Sequence, residues 1–344
     1  MRRRPNELRG VTDMRAVMVK EFGPPDSLKV EDVPAPQPAP DEILIDVHAV
    51  GVNFVDTLVI TGKYQFLPPR PFTPGKLPAG VVTKVGSNVT DFKPGDRVLT
   101  TAEHGGYAEQ ATALASQSYK IPDNMSFVEA ASIALAFDTA WFALRERGRL
   151  RKGESVLVLG ASGAVGIAAV QLAKAFGAKV LAGISSLQKA PIVMAAGADG
   201  VVNLGVDNIH DALREQVYAQ TDGKGVDIVI DSLGDKFLPA ALRAIAWRGR
   251  HVIVGFAAGE IASVKTNYLM LRNIELSGLQ VSDYRKRTPE LMRECFDEIF
   301  ALYEKGALKA PASETLPLDG FAQAMNMIRD RKAQSRLVLV PEPR

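Results

Sequence analysis

The segment SVLVLGASGAVGIAAVQLAKAFGAKV, from Ser155 to Val180, constrains this chain more than any other. An apolar strand enters a turn of Gly160, Ala161, Ser162, Gly163, Ala164, Val165 and Gly166, and an alanine-rich helix leaves it. Small residues are needed where a backbone turns sharply, approaches a pyrophosphate and lets a helix pack closely on a strand. The helix N-terminus then presents unpaired N–H groups and about half a positive charge to the phosphates. Gly177 is placed to cap the helix, and Val180 opens the next strand. A glycine turn alone can be a tight connection that binds nothing. Here strand, turn, helix and second strand arrive in register and predict a dinucleotide site at Ser162, Gly163, Ala164 and Val165.

Which dinucleotide is a question of charge at the end of the second strand, where an NAD site places Asp or Glu against the ribose hydroxyls. This chain has Ile184-Ser185-Ser186-Leu187-Gln188-Lys189 there. Without a carboxylate to repel a 2′-phosphate, and with Ser185 as donor and Lys189 as cation, NADPH is favoured. The bland alternative for Lys189 is a solvated helix residue.

The wording of the sequence changes near Asp138. From Met14 to Phe137, short β-rich runs alternate with Pro- and Gly-rich punctuation such as PAPQPAP, LPPRPFTPG and KPGD, which predicts an irregular, mostly antiparallel barrel-like unit. After Asp138, apolar strands alternate with helices, the pattern of a doubly wound parallel sheet. The predicted strands are 155–159, 179–184, 200–204, 226–230, 251–255 and 274–277. The tail offers helices over 290–305 and 319–331 and a strand over 336–340, expected to return to the first domain. The expected division is therefore a disordered extension at 1–13, a catalytic domain at 14–137 plus 282–344, and a nucleotide-binding domain at 138–281. A length of 344 residues accommodates two such cores.

Composition narrows the function. With 41 Lys and Arg against 39 Asp and Glu, the formal charge of +2 gives no broad cationic field for nucleic acid or anionic lipid. One cysteine, Cys295, permits no internal disulfide and fits a reducing, cytoplasmic setting. No apolar run reaches the ~20 residues of a bilayer span, and the basic N-terminal residues lead into no apolar core. The four histidines, His48, His104, His210 and His251, have no ligand spacing, so no metal is assigned. There is no G-x-S-x-G elbow either. Hydride chemistry without a Lewis acid suits an acceptor that spreads the developing charge through conjugation, a quinone or activated alkene, taking its proton from Tyr64 or water.

MRAVMVKEFG at Met14, GVNFVDTLVITGKY at Gly51, VGSNVTDFKPGDRV at Val85, GGYAEQ at Gly105 and the turn at Gly160 occur in an order that resembles the zinc-independent quinone oxidoreductases. These form the zeta-crystallin-like branch of the medium-chain dehydrogenase/reductase superfamily, and the resemblance runs from about Met14 to Pro341. It implies a GroES-like catalytic domain, a Rossmann domain, a homodimer built through the Rossmann sheet edge, and NADPH-dependent reduction of quinones or related α,β-unsaturated carbonyls. By the same resemblance Asn53, Asp56 and Tyr64 line the nicotinamide end of the site, with Asn53 where zinc-dependent relatives place a catalytic cysteine. Thr139 stands near the nicotinamide, Ser185, Lys189 and Arg331 surround the 2′-phosphate, and Ser232, Gly234 and Phe256 face the cofactor. Each has a structural alternative: Thr139 as a helix cap, Asn53 and Asp56 as turn formers, Phe256 as core, Arg331 as a surface charge.

Leu58 and Ile60 replace residues that are often Tyr and Arg in quinone reductases, Leu77 stands where Glu is common, and Leu204 where a tyrosine often follows the third strand. These departures predict a more apolar site with Tyr64 as the one aromatic acid. Two other functions stay open: a catalytically weak NADPH-binding protein with a structural or RNA-binding role, and an enoyl-CoA-type alkene reductase.

Overall fold

The computed structural model describes residues 13–333 and 335–341. The described residues divide into two compact units, the first running up to residue 134 and resuming at 310, the second 135–309. The expectation of disorder at 1–13 lies outside the described residues except at Asp13, which opens the strand Asp13–Met18.

In the first unit a seven-stranded sheet runs, edge to edge, Ser313–Pro317, Arg336–Val340, Glu42–Gly51, Ala79–Val85, Arg97–Thr100 and Ser118–Lys120, with Gln110–Leu114 also paired to Glu42–Gly51. Its pairs are antiparallel except the first, Ser313–Pro317 with Arg336–Val340. The tail strand returns to this unit, as its apolar run RLVLV suggests: Val338 and Leu339 sit opposite Gly51 and Val50. The buried face joins Ile43, Ile45 and Val47 to Leu337 and Leu339, over which Ile60, Phe72 and Tyr107 pack. Two short helices, Phe54–Ile60 and Phe127–Ile133, interrupt a region expected to be β throughout. The first follows because Asn53 stands at the N-cap and Asp56 at the third helical position, where its carboxylate accepts the Asn53 backbone N–H at 2.8 Å.

In the second unit six parallel strands run Gly200–Asn203, Lys179–Ile184, Ser155–Leu159, Val226–Asp231, Ile245–Ile253 and Glu275–Gly278. This is the doubly wound order, and it reverses between Ser155–Leu159 and Val226–Asp231, the place where such sheets bind ligands at their strand ends. Five of the six strands match the expected ranges to within one residue at each end, whereas Ile245–Ile253 begins six residues before and ends two before the expected 251–255.

The second domain boundary falls later than expected, at 309/310 rather than 281/282. The helices Val281–Arg287 and Pro289–Glu304 belong to the second unit because they carry partners for Ala136–Trp141 and the π-helix Phe142–Arg147 that follows it. Arg285 donates to the buried Asp138 carboxylate at 2.6 Å, Trp141 Nε1 and Arg145 donate to Glu298, and Phe142 packs on Tyr284. A pairing spread over 147 residues leaves no local trace.

The stretch Phe127–Arg147 is apolar and long enough to span a bilayer by length and composition, but 72% of its apolar window is buried in the protein. Leu135, with φ +66°, also breaks it. It reads as core.

Candidate functional site

The glycine turn of the second unit is shaped by contacts that admit no side chain. Gly160 has φ +74°, and a Cβ there would come within 2.7 Å of Ser232 Oγ. At Gly166 a Cβ would lie 2.3 Å from the Gly160 carbonyl oxygen, so the helix axis can approach the strand only with glycine in place. The Gly160 and Ala161 amides both donate to the Gly183 carbonyl at 3.0 Å, which fixes the turn to the neighbouring strand. Gly163 is the N-cap of the helix Ala164–Ala175, and Ile167 N–H closes the first helical bond to its carbonyl. The N–H groups of Ala164, Val165 and Gly166 precede that bond and have no intrahelical acceptor. Gly163 and Ala164 are exposed, Ser162 and Val165 half-buried. Four predicted residues thus surround one accessible cluster of amide donors.

Three more predicted residues gather beside this turn. Ser232 donates to the Leu159 carbonyl at 2.9 Å. Gly234, with φ +68°, lies under Phe256, where a Cβ would meet the ring at 2.9 Å. Phe256 is 46% exposed, so it is a surface aromatic rather than core. Beneath them Asp231 accepts the Leu233 and Gly234 amides through Oδ1 and pairs through Oδ2 with His251 Nε2 at 3.0 Å, both side chains fully buried. That buried pair shapes the strand end and was not legible as a site feature.

At the end of Lys179–Ile184, Ser185 and Lys189 are both exposed, and Ser186 caps the short turn Leu187–Lys189 through its hydroxyl. Thr139 lies inside the helix Ala136–Trp141, its hydroxyl donating to the Leu135 carbonyl, so the cap alternative fails. Arg331, exposed and with φ +57°, belongs to the first unit. Leu204 is buried in the core of the second unit and offers no surface for stacking.

The first unit builds a second constellation. Asn53 is buried and held at both ends of its amide: Nδ2 donates to the Gly51 carbonyl at 3.1 Å, and Oδ1 accepts from Arg336 Nη2. Arg336 also donates to the Val52 carbonyl at 2.8 Å. Asp56, 1% exposed, accepts the Asn53 amide and, at 3.1 Å, the Tyr107 hydroxyl. Burial pushes the Asp56 carboxyl above the usual carboxylate range, opposed by the Asn53 amide and by the charge of Lys76. Burial, with Asp56 adjoining, holds the Tyr107 hydroxyl well above its ordinary value, so it remains a neutral donor.

Tyr64 lies against Lys76, whose ammonium nitrogen is 5.3 Å from the ring centroid. Lys76 is only 3% exposed and forms an ion pair with Glu103. Two loops bring these residues together. The Gly105, Gly106 and Tyr107 amides donate to the carbonyls of Thr73, Gly75 and Pro74, and Leu77 N–H donates to the Ala102 carbonyl. Gly75 is required for this approach, since a Cβ would lie 2.2 Å from the Tyr107 ring. Burial, then the charge of Lys76, shifts His104 on the same loop toward neutrality. The expected apolar character is therefore corrected. Leu77 and Ile60 are buried in the unit, while Lys76 and Glu103 put a charged pair beside Tyr64. Sequence reasoning missed Lys76, Glu103, Tyr107 and Arg336. Tyr107 stood in the quoted GGYAEQ segment, and the lysine interrupting FTPGKLPAG was the one other visible signal.

Among the described residues no three His, Cys, Asp or Glu side chains converge as a metal ion would require. Cys295 is buried, its thiol pushed up by burial.

Comparison with known proteins gives the class. Residues 39–123 match the family described as alcohol dehydrogenase GroES-like domain, and residues 164–297 the family described as zinc-binding dehydrogenase. The chain is 37% identical to the quinone oxidoreductase-like protein 2 homolog of Nematostella vectensis, covering 96% of this chain and 90% of that one. Among solved structures it is similar to Escherichia coli quinone oxidoreductase complexed with NADPH, at 30% identity and TM-score 0.85, covering 95% of this chain and 100% of that one. It is also similar to CurK enoyl reductase, at 26% identity and TM-score 0.85, covering 96% and 99% respectively. The chain belongs to the quinone oxidoreductase family of the medium-chain dehydrogenases/reductases.

Proposed function

We propose that this protein reduces a quinone or a related α,β-unsaturated carbonyl at the expense of NADPH. The observation that carries the reading is the turn from Gly160 to Val165, whose glycine-only contacts leave the first amides of the helix Ala164–Ala175 open beside a strand end without carboxylates. That cradle fits a pyrophosphate. Bound NADPH supplies a hydride with its electron pair from the reduced nicotinamide.

The residues that would hold it follow from their positions. The amides of Ala164 and Val165, with Ser162 and Gly163, take the pyrophosphate, and Ser185 and Lys189 take the 2′-phosphate. Ser232, Gly234, Phe256 and Thr139 border the cofactor, and Arg331 joins the phosphate partners on sequence resemblance alone. On the acceptor side Arg336 pins the Asn53 amide oxygen, which fixes the direction of the remaining Asn53 N–H. Asp56 and Tyr107 hold the helix start beneath it, and Tyr64 gives a proton to the acceptor oxygen.

The test is NADPH oxidation against a panel of a naphthoquinone, a benzoquinone, an enone and an enoyl thioester. Oxidation that depends on the quinones or the enone supports the reading. Oxidation with the thioester alone favours the enoyl reductase alternative, to which the likeness to CurK enoyl reductase lends weight. Cofactor binding with no acceptor-dependent oxidation favours a binding protein.

We also infer that two copies associate through the outer edge of Glu275–Gly278, which is unpaired among the described residues and lies in a unit that exposes Ile261, Met270 and Leu271. The single cysteine accords with a cytoplasmic location.

A further inference from the structure

We propose that Lys76, anchored by Glu103 above the Tyr64 ring, is the fixed positive charge that stabilises the oxyanion formed on the acceptor as it is reduced. The inference rests on the hydride-transfer reading of the site and adds a residue that the motifs do not assign.

The argument begins with an anomaly of burial. Lysine is almost never fully buried unless it is paired or used, yet Lys76 is 3% exposed in a loop, not at a helix end where its stem could reach water. It neighbours Glu103, the Tyr64 ring and, at longer range, Asp56 and His104. Glu103 alone would suffice for a structural pair, but a structural pair has no need of Tyr64, the candidate proton donor. The backbone invests in this placement: Leu77 adopts φ +56°, a left-handed conformation disfavoured for leucine, directly after Lys76. The ammonium has three N–H groups and one carboxylate partner among the described residues, so donors remain for an oxygen beside Tyr64.

The chemistry asks for such a charge. NADPH, when bound, would supply a hydride with its electron pair to the acceptor, whose displaced π pair would come to rest on oxygen. One proton, passed through Tyr64 from solvent, completes a two-electron reduction of the acceptor and a two-electron oxidation of the cofactor. Between these events the oxygen is anionic, and a preplaced ammonium at a water-poor position stabilises it without reorganisation. Glu103 holds the ammonium in place, and as a positioning residue it acts through Lys76.

The test uses the full-length protein and two readouts. The first is steady-state turnover of NADPH with a naphthoquinone for Lys76→Met, for the charge-neutral double variant Lys76→Met/Glu103→Gln, and for Lys76→Arg. The double variant removes both charges together, so it keeps the fold if the single variant does not. The expected result is about a 100-fold loss of kcat in the double variant with unchanged NADPH affinity, and partial recovery in Lys76→Arg. The second readout needs no turnover. 4-Nitrophenol is added at a pH where it is half-ionised in solution, and its visible absorption reports the ionisation of the bound molecule. The wild-type protein is expected to shift the bound phenol toward phenolate by about tenfold, equivalent to one pKa unit, and the double variant to abolish the shift. A double variant that keeps both the phenolate shift and kcat overturns the proposal and leaves the pair a structural one. A wild-type protein that binds the phenol without shifting it also overturns it. If the phenolate shift is present and lost on substitution but no acceptor is reduced, the charge assignment stands and the hydride-transfer reading fails.

Discussion

Arg336 donates a hydrogen bond to Oδ1 of Asn53 across 283 residues of chain, tying the last strand to the first turn of the helix that carries Asp56. The side chain is buried, and desolvation pulls its pKa below the ordinary arginine value while Asp56 and Tyr107 oppose that shift. Replacing Arg336 with Met leaves the Val52 carbonyl and the Asn53 amide without their charged donor. A loss of about 2 to 3 kcal/mol in unfolding free energy is expected in urea denaturation. Arg336→Lys should recover only part of it, because a lysine cannot serve both acceptors from one planar fork.

The buried Asp56 carboxyl gives a pH signature whose sign differs from that of most aspartates. Its folded pKa is raised, chiefly by burial, so between the unfolded and folded values the native state binds more protons than the unfolded one. Stability from this group therefore falls as pH rises through that window. Asp56→Asn removes the dependence while keeping an oxygen for Tyr107. In denaturation measured across a pH series, the variant should gain on the wild type as pH rises above the ordinary carboxylate range. A constant difference across the series would contradict the assignment.

At the glycine turn, Gly166→Ala places a methyl 2.3 Å from the Gly160 oxygen and 2.6 Å from Ala161 Cα, so backbone must move. A destabilisation of about 1 to 3 kcal/mol is expected. NADPH affinity should fall at least about tenfold, or 1.4 kcal/mol. Gly163→Ala meets only the Gly160 oxygen, at 3.3 Å, and should be much milder in both measurements.

Cofactor choice should reside in Ser185 and Lys189. Ser185→Asp with Lys189→Ala introduces a carboxylate and removes a cation at an exposed strand end, where the change should cost little stability. NADPH binding is expected to weaken about tenfold or more while NADH binding holds or improves, measured by cofactor fluorescence.

The parts of this protein that were legible in its sequence are those whose constraints act over a few residues. The turn from Gly160 to Gly166 could be read because Gly163 and Gly166 answer to Gly160 and Ala161 within the same strand-turn-helix unit, and Ser155–Leu159, Lys179–Ile184 and Val226–Asp231 because apolar residues dominate each. The strand Arg336–Val340 was recognisable by pattern, and so was its return to the first unit. What pattern could not supply was partnership. Lys76 finds Glu103 27 residues away, Asp56 finds Tyr107 at 51, and Arg285 finds Asp138 at 147. The last of these moves two helices from the expected domain to the other. The polar network around Asn53 was invisible for the same reason, since a lone Arg in an apolar strand carries no mark of what it will face.

The central claim, that the amides at Ala164 and Val165 receive the pyrophosphate of NADPH, is tested most directly by titration calorimetry of the intact protein with NADPH and with NADH. The account predicts saturable binding of one NADPH per chain, with NADH weaker by about tenfold or more for want of the 2′-phosphate contacts. Association of neither dinucleotide would contradict it.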